Sequence, residues 1–238
     1  MAEGEYGQMK KINAAAFIFL AGLTAGWPGA RATSLQEKKP EEKHRPISQE
    51  RIYRFPPLDV VVEDFPAPGL ILDIGGGGEG VIGQLKHQQV VAIDLIKREL
   101  EDAPGKPLLK IVMDARDLKF LDDDFSTATV FFTFMYIDAA DHEQVFRELF
   151  RVLAPGGRLL IWDVIFPKRL DEKKDVALFP LKIRLPGKEI NTGYGVEWPE
   201  NELGMDHYIA LAKKAGFEVI TQKEHEGWFF LELMKLKD

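Results

Sequence analysis

Four consecutive glycines between two carboxylates, Asp73 and Glu79, form the stretch of this 238-residue chain richest in chemical content. Gly75 to Gly78, with Gly80, allow a tight strand-to-helix turn and let a ligand lie against bare backbone. Taken literally, Gly75, Gly77 and Gly80 have the G-x-G-x-x-G spacing of a dinucleotide loop, and Asp94 follows at about the distance from which a carboxylate accepts ribose hydroxyls. That spacing alone points to a nucleotide cofactor, with NAD as one reading. Two further carboxylates argue for a different nucleotide. Asp73, at the end of a strand, would repel a pyrophosphate but can hold an ammonium group. Asp114, followed by Ala115, is placed to accept from an adenine exocyclic amine.

Those residues need strands that end together. Leu70 to Ile74 reads as a short buried strand, Gly80 to His87 as a helix, Val90 to Asp94 as a second strand and Ile96 to Asp102 as a second helix. Lys110 to Asp114 gives a third strand and Ala128 to Ile137 a fourth. The next helix has Asp141 as its expected N-cap with Gln144 three residues on, and Val145, Phe146, Leu149, Phe150, Val152 and Leu153 on its apolar face. Ala154 to Gly157 should break that helix ahead of a strand from Arg158 to Val164. This alternation predicts an α/β fold, a doubly wound and mostly parallel seven-stranded sheet with helices on both faces.

After Val164 the pattern changes. Residues 166–202, with Leu178 to Leu185, Pro186-Gly187 and then Tyr194 and Trp198, read as an inserted hairpin or lid. A helix from Met205 to Ala215, closed by Gly216, precedes strands at Phe217 to Thr221 and Trp228 to Met234, an antiparallel C-terminal pair at one sheet edge. Upstream, residues 51–68 suit an extended segment packing over the domain edge.

With these elements in place, the chain resembles the class I S-adenosylmethionine-dependent methyltransferases. Four pieces carry the resemblance in order: Leu70 to Gly80, Val91 to Leu95, Met113 to Arg116, and Phe150 to Ile161 (FRVLAPGGRLLI). It implies a Rossmann-like methyltransferase fold with S-adenosylmethionine as cofactor. Asp73, Gly75, Gly76 and Gly77 would line its methionine end, Asp94 would bind its ribose and Asp114 with Ala115 its adenine, with Leu95 also in the cofactor site and Thr133 bordering it. Glu79 is a departure, because the family more often has its third glycine at that position.

The sulfonium of such a cofactor is already activated, so the protein need mainly align a nucleophile, adding a base if that nucleophile carries a proton. Side chains expected beyond the strand ends are Thr133, Tyr136, His142, Asp163, Tyr194 and His207, with Tyr136 and Asp163 the foremost catalytic candidates. His142 and His207 are read as exposed helix residues. The five histidines show no metal spacing and the chain has no cysteine, so no metal is expected.

A net charge of -7 without a long basic run argues against nucleic acid as a partner. The partly apolar insertion favours a small-molecule acceptor. Lys10 and Lys11, an uncharged stretch from Ile12 to Ala30, and Ala30-Arg31-Ala32 have the order of a secretory signal, with a membrane anchor or an unprocessed tail as alternatives. Membrane contact, if any, would come through that segment, and location turns on it: exported or anchored if it is a working signal, otherwise cytoplasmic. The expected organisation is thus a signal-like segment (1–32), a polar linker (33–50) and one catalytic domain (51–238). An NAD-dependent oxidoreductase and a non-catalytic nucleotide-binding module are the competing functions, the latter because an exported protein would lack a supply of S-adenosylmethionine.

Overall fold

The computed structural model describes residues 48–169 and 171–237. The signal-like segment and nearly all of the linker lie outside them. Two short strands come first, β1 (Ile52–Arg54) and β2 (Leu58–Val61). There follow β3 (Ile71–Ile74), α1 (Val81–Lys86), β4 (Val90–Asp94), α2 (Lys97–Asp102), β5 (Leu109–Val112) and β6 (Phe125–Phe131). Next are α3 (His142–Val152), β7 (Leu153–Val164), β8 (Val176–Leu185) and β9 (Lys188–Glu197). The chain closes with α4 (Met205–Ala215), β10 (Phe217–His225) and β11 (Trp228–Lys235).

Seven strands form the main sheet in the order β10-β11-β7-β6-β3-β4-β5. The β7-β6-β3-β4-β5 pairs are all parallel, while β11 runs antiparallel to both β7 and β10. Strands buried on both faces need apolar residues at successive positions, which is why β3 and β4 read as continuous runs. Alternate side chains sort the core into two layers. Leu72, Ile74, Val91, Ile93, Leu159 and Ile161 meet Val145, Phe146 and Leu149 of α3 and Tyr208 and Ala212 of α4. Ile71, Val90, Ala92, Leu160 and Trp162 turn the other way, toward Val81 and Ile82 of α1, Leu100 of α2 and the apolar face of β8.

That last contact belongs to a second sheet. β9 pairs antiparallel with β8 along its whole length, as a hairpin turning at Pro186-Gly187. The opposite edge of β8 takes β1 and then β2, both parallel to it, with Ile52 beside Val176 and Leu58 beside Leu181. Residues 51–68 therefore do more than cover an edge, since they supply two strands of this sheet. The interruption falls at Pro56 and Pro57, which lack the N–H a ladder requires.

Three local expectations need correcting. The fourth strand starts earlier and stops at Phe131, because Phe132 has φ 49 and turns the chain into a 3-10 turn at Phe134–Tyr136. Asp141 makes no capping bond to α3; its carboxylate accepts instead from Arg116 Nη1 at 2.6 Å, and Gln144 donates to the Arg116 carbonyl. Ala154 to Gly157 does not separate α3 from β7. These residues form the irregular beginning of the strand, where the pairing register with β6 shifts.

Candidate active site

β3, β4, β5 and β6 end on the same side of the sheet, and the glycine loop is laid across those ends. Gly75 has φ 69, a region that penalises any side chain, and a Cβ there would lie 2.3 Å from Thr133 Oγ1. Thr133 Oγ1 donates in turn to the Ile74 and Phe131 carbonyls, each at 3.1 Å, fastening the end of β6 to the start of the loop. Gly76 N–H donates to the Ile93 carbonyl at 2.9 Å. Gly77 sits so close to β4 and α2 that a Cβ would come within 2.6 Å of both Asp94 Oδ2 and Glu99 Cβ.

The predicted carboxylates occupy three distinct settings. Asp73 is 2% exposed, beneath the loop, and accepts from Thr129 Oγ1 at 2.7 Å. Burial pushes its carboxyl up to about 7, with the Thr129 bond opposing and Asp94 reinforcing the rise. Asp94 caps the turn after β4 by accepting from Ile96 N–H at 2.8 Å, and burial raises it as well. Asp114 is gripped by its neighbour: Arg116 donates to it from Nε at 3.0 Å and Nη2 at 2.7 Å, and this pairing holds the carboxyl below its ordinary range. Ala115 is half-buried, and Leu95 stands 63% exposed just past β4.

Beyond β6 the candidates divide. Tyr136 is 38% exposed and faces Tyr194 of β9 edge-on, with ring centroids 6.4 Å apart. Both phenols are held above their ordinary value, first by the surrounding protein and then by nearby carboxylates, Glu79 and Glu99 among them. Asp163 lies on the far side of the turn, fully buried, accepting from Val164 N–H at 2.8 Å. Burial raises it to about 7, and the N–H groups of Thr133, Phe134 and Met135, together with that of Val164, offset part of the rise.

His142 and His207 are not exposed helix residues. His142 is completely buried; its Nε2 faces the carbonyls of Phe134 (3.2 Å) and Ile137 (3.0 Å) and so must donate, leaving Nδ1 to accept from His207 Nε2 at 3.0 Å. Burial lowers the pKa of both rings. They brace the Phe134–Tyr136 turn from behind. Among the described residues, no group of three or more His, Asp or Glu is arranged to hold a metal ion.

Sequence reasoning did not place Phe132 or Thr192 at the site. Phe132 is buried, and its ring lies 6.0 Å from that of Tyr194. Thr192 Oγ1 donates to Glu79 Oε1 at 2.8 Å. The alternation of Ile190, Thr192, Tyr194 and Val196 along one strand face is the signal that could have found Thr192.

A family profile described as "Methyltransferase domain" matches residues 72–161, from β3 into β7. A demethylmenaquinone methyltransferase from Thermotoga maritima is 31% identical over 167 residues, covering 64% of this chain and 71% of its own. The chain belongs to the class I S-adenosylmethionine-dependent methyltransferase family. A second demethylmenaquinone methyltransferase, from Thermus thermophilus, is 35% identical over 114 residues, 44% of this chain. The chain spans about half the length of that relative, 50%. Among solved structures, an S-adenosylmethionine-dependent methyltransferase from Methanosarcina mazei matches 73% of this chain and 95% of its own, with a TM-score of 0.53 and 18% identity, a likeness of fold. Membership of this methyltransferase family displaces the dinucleotide reading of the glycine loop. The second sheet, by contrast, lies wholly outside the stretch matched by the methyltransferase profile.

Proposed function

We propose that this protein transfers the methyl group of S-adenosylmethionine to a small, partly apolar acceptor held between the Phe134–Tyr136 turn and β9. The observation that carries the reading is the glycine loop itself, bare backbone pressed against Asp94 and Thr133 where the parallel strands end. The donor set suits this cofactor. It is cationic at its sulfonium and ammonium groups, and the surroundings offer Asp73, Asp94, Glu79 and Glu99. Asp94 would take the ribose hydroxyls and exposed Leu95 one face of the adenine. With Asp114 engaged by Arg116, adenine recognition would fall chiefly to the backbone at Ala115. Asp73, buried under the loop, would shape the methionine end from beneath.

Bound S-adenosylmethionine supplies an already activated methyl group, so the residues here need to orient the acceptor and exclude water. Tyr136 keeps its proton at neutral pH, which makes it a hydrogen-bond donor to an acceptor oxygen rather than a base. Asp163, fully buried beside the turn, would act on Tyr136 only through that turn. The names of the relatives favour a quinone-like ring as acceptor, which fits a donor phenol and aromatic walls.

Calorimetric titration with S-adenosylhomocysteine and, separately, NADH tests the cofactor. Binding of the first alone is expected, weakened roughly 10- to 150-fold by Asp94→Ala, since a hydrogen bond to a charged group is worth about 1.5–3 kcal/mol. Absence of S-adenosylhomocysteine binding overturns the reading. A methyl-transfer assay with reduced hydroxynaphthoquinones against aliphatic amines then tests the acceptor; turnover of amines alone would remove the quinone-like assignment.

A further inference from the structure

The glycine loop is bonded to the second sheet at Glu79, the position where this chain departs from its family's glycine. Its side chain is half-buried. Thr192 Oγ1 donates to Glu79 Oε1 at 2.8 Å, and Glu79, after burial, holds the Tyr194 phenol above its ordinary value. The Glu79 carbonyl is engaged as well, accepting from Gln84 Nε2 at 2.6 Å, while Gln84 Oε1 accepts from Lys188 Nζ. Lys188, Thr192 and Tyr194 are even-numbered residues of β9 and therefore share the strand face turned toward the loop and α1. Most of the apolar anchorage of this sheet comes from β8, where Ala177, Phe179, Leu181 and Ile183 enter the core, with Ile190, Tyr194 and Val196 of β9 packed against it. β9 is thus bonded to the cofactor loop at the Glu79 carboxylate.

We propose that Glu79 is a positioning residue that couples the glycine loop to β9, so that cofactor binding fixes Tyr194 and completes the wall of the acceptor site. This rests on the cofactor reading above. A ligand that orders residues 75–80 orders Glu79 with them. Glu79 then holds the Thr192 hydroxyl and bears on the Tyr194 phenol, and the Tyr194 ring is set against Phe132 and Tyr136. The ligand stabilises the docked form of β9 only through this differential contact.

Amide hydrogen exchange on the full chain, with and without S-adenosylhomocysteine, reads the coupling directly. In the wild type the ligand is expected to slow exchange several-fold in peptides covering residues 188–197. The double variant Thr192→Val/Tyr194→Phe keeps the rings and strand-forming residues but removes both hydroxyls; it should still bind the ligand while losing that protection. Glu79→Ala should lose it too, and Glu79→Gln, which keeps an acceptor oxygen, should restore most of it. A structural role without coupling would leave the ligand-dependent difference intact in every variant, and that result overturns the proposal. Wild-type protein that binds S-adenosylhomocysteine with no change in β9 overturns this inference alone. Wild-type protein that binds none overturns the cofactor reading with it.

Discussion

On the loop side of the site, position is set by backbone. Gly75 and Gly77 come within van der Waals reach of Thr133 and Asp94 because they have no side chain, and the loop amides bond directly to the Ile93 and Glu99 carbonyls. On the second-sheet side, position is set by side chains. Phe179 of β8 stacks on Phe55 at 4.4 Å with planes 11° apart and meets Phe166 edge-on, while β9 reaches the loop through Thr192 and Tyr194. The difference teaches where substitutions can be tolerated. A wall made of backbone has no spare atom to change, whereas a wall of side chains can be redrawn while its strands stay paired.

Three experiments break or sharpen that contrast. Phe179→Ala should have the largest effect, about 3–5 kcal/mol lost in urea unfolding, the amount typical of a fully buried aromatic. Affinity for S-adenosylhomocysteine should stay within a few-fold, and a parallel collapse of affinity would show that the two walls are one unit. Gly75→Ala comes next. The left-handed backbone alone penalises a side chain by about 1–2 kcal/mol, and the approach of Thr133 adds to it. Here calorimetry should show affinity falling further than stability does. The third effect is graded with pH, and smallest per unit. Asp163 has a folded value of about 7, above its unfolded value of ~4, so the native state keeps a proton that the unfolded chain releases. Stability should fall as pH rises between those values, by up to ~1.4 kcal/mol per unit, and not change further from this group above pH 7. Asp163→Asn should flatten that part of the profile in denaturant titrations, whereas an unchanged profile would mean the carboxylate ionises in the fold as it does in the unfolded chain. Asp73, held at about 7 under the loop, gives Asp73→Asn the same expected sign on the backbone-built side.

The main sheet was legible in the sequence because each of its units is local: a buried run, a glycine or proline break, and a helix with one apolar face lie within about 30 residues. β4 and α4 fall on their expected limits, and Gly216 closes α4 with φ 105. Phe132 and Asp141 were not legible. The first adopts a backbone region that bulky residues avoid, and nothing in its neighbours announces this. The second carries the right residue type for a cap, but Arg116, 25 residues upstream, claims its carboxylate. The pair of His142 and His207 escaped for the same reason, since their bond joins the start of α3 to α4 across 65 residues. The hairpin of the insertion showed in its turn, but nothing local marks β1 and β2 as partners of β8.

The pairing of β1 and β2 with β8 also orders events during synthesis. Arg51 and Asp175, which close the start of that pairing, are 124 residues apart. At roughly 5–20 residues per second, the ribosome takes on the order of ten seconds to deliver β8 after β1 has emerged. During that interval the β3-to-β7 units can assemble among themselves, while Phe55, Leu58 and Val60 wait without the strand that buries them. The second sheet is therefore completed only after the glycine loop and strands β3 to β7 have been made, and the nascent chain carries an exposed apolar edge until then.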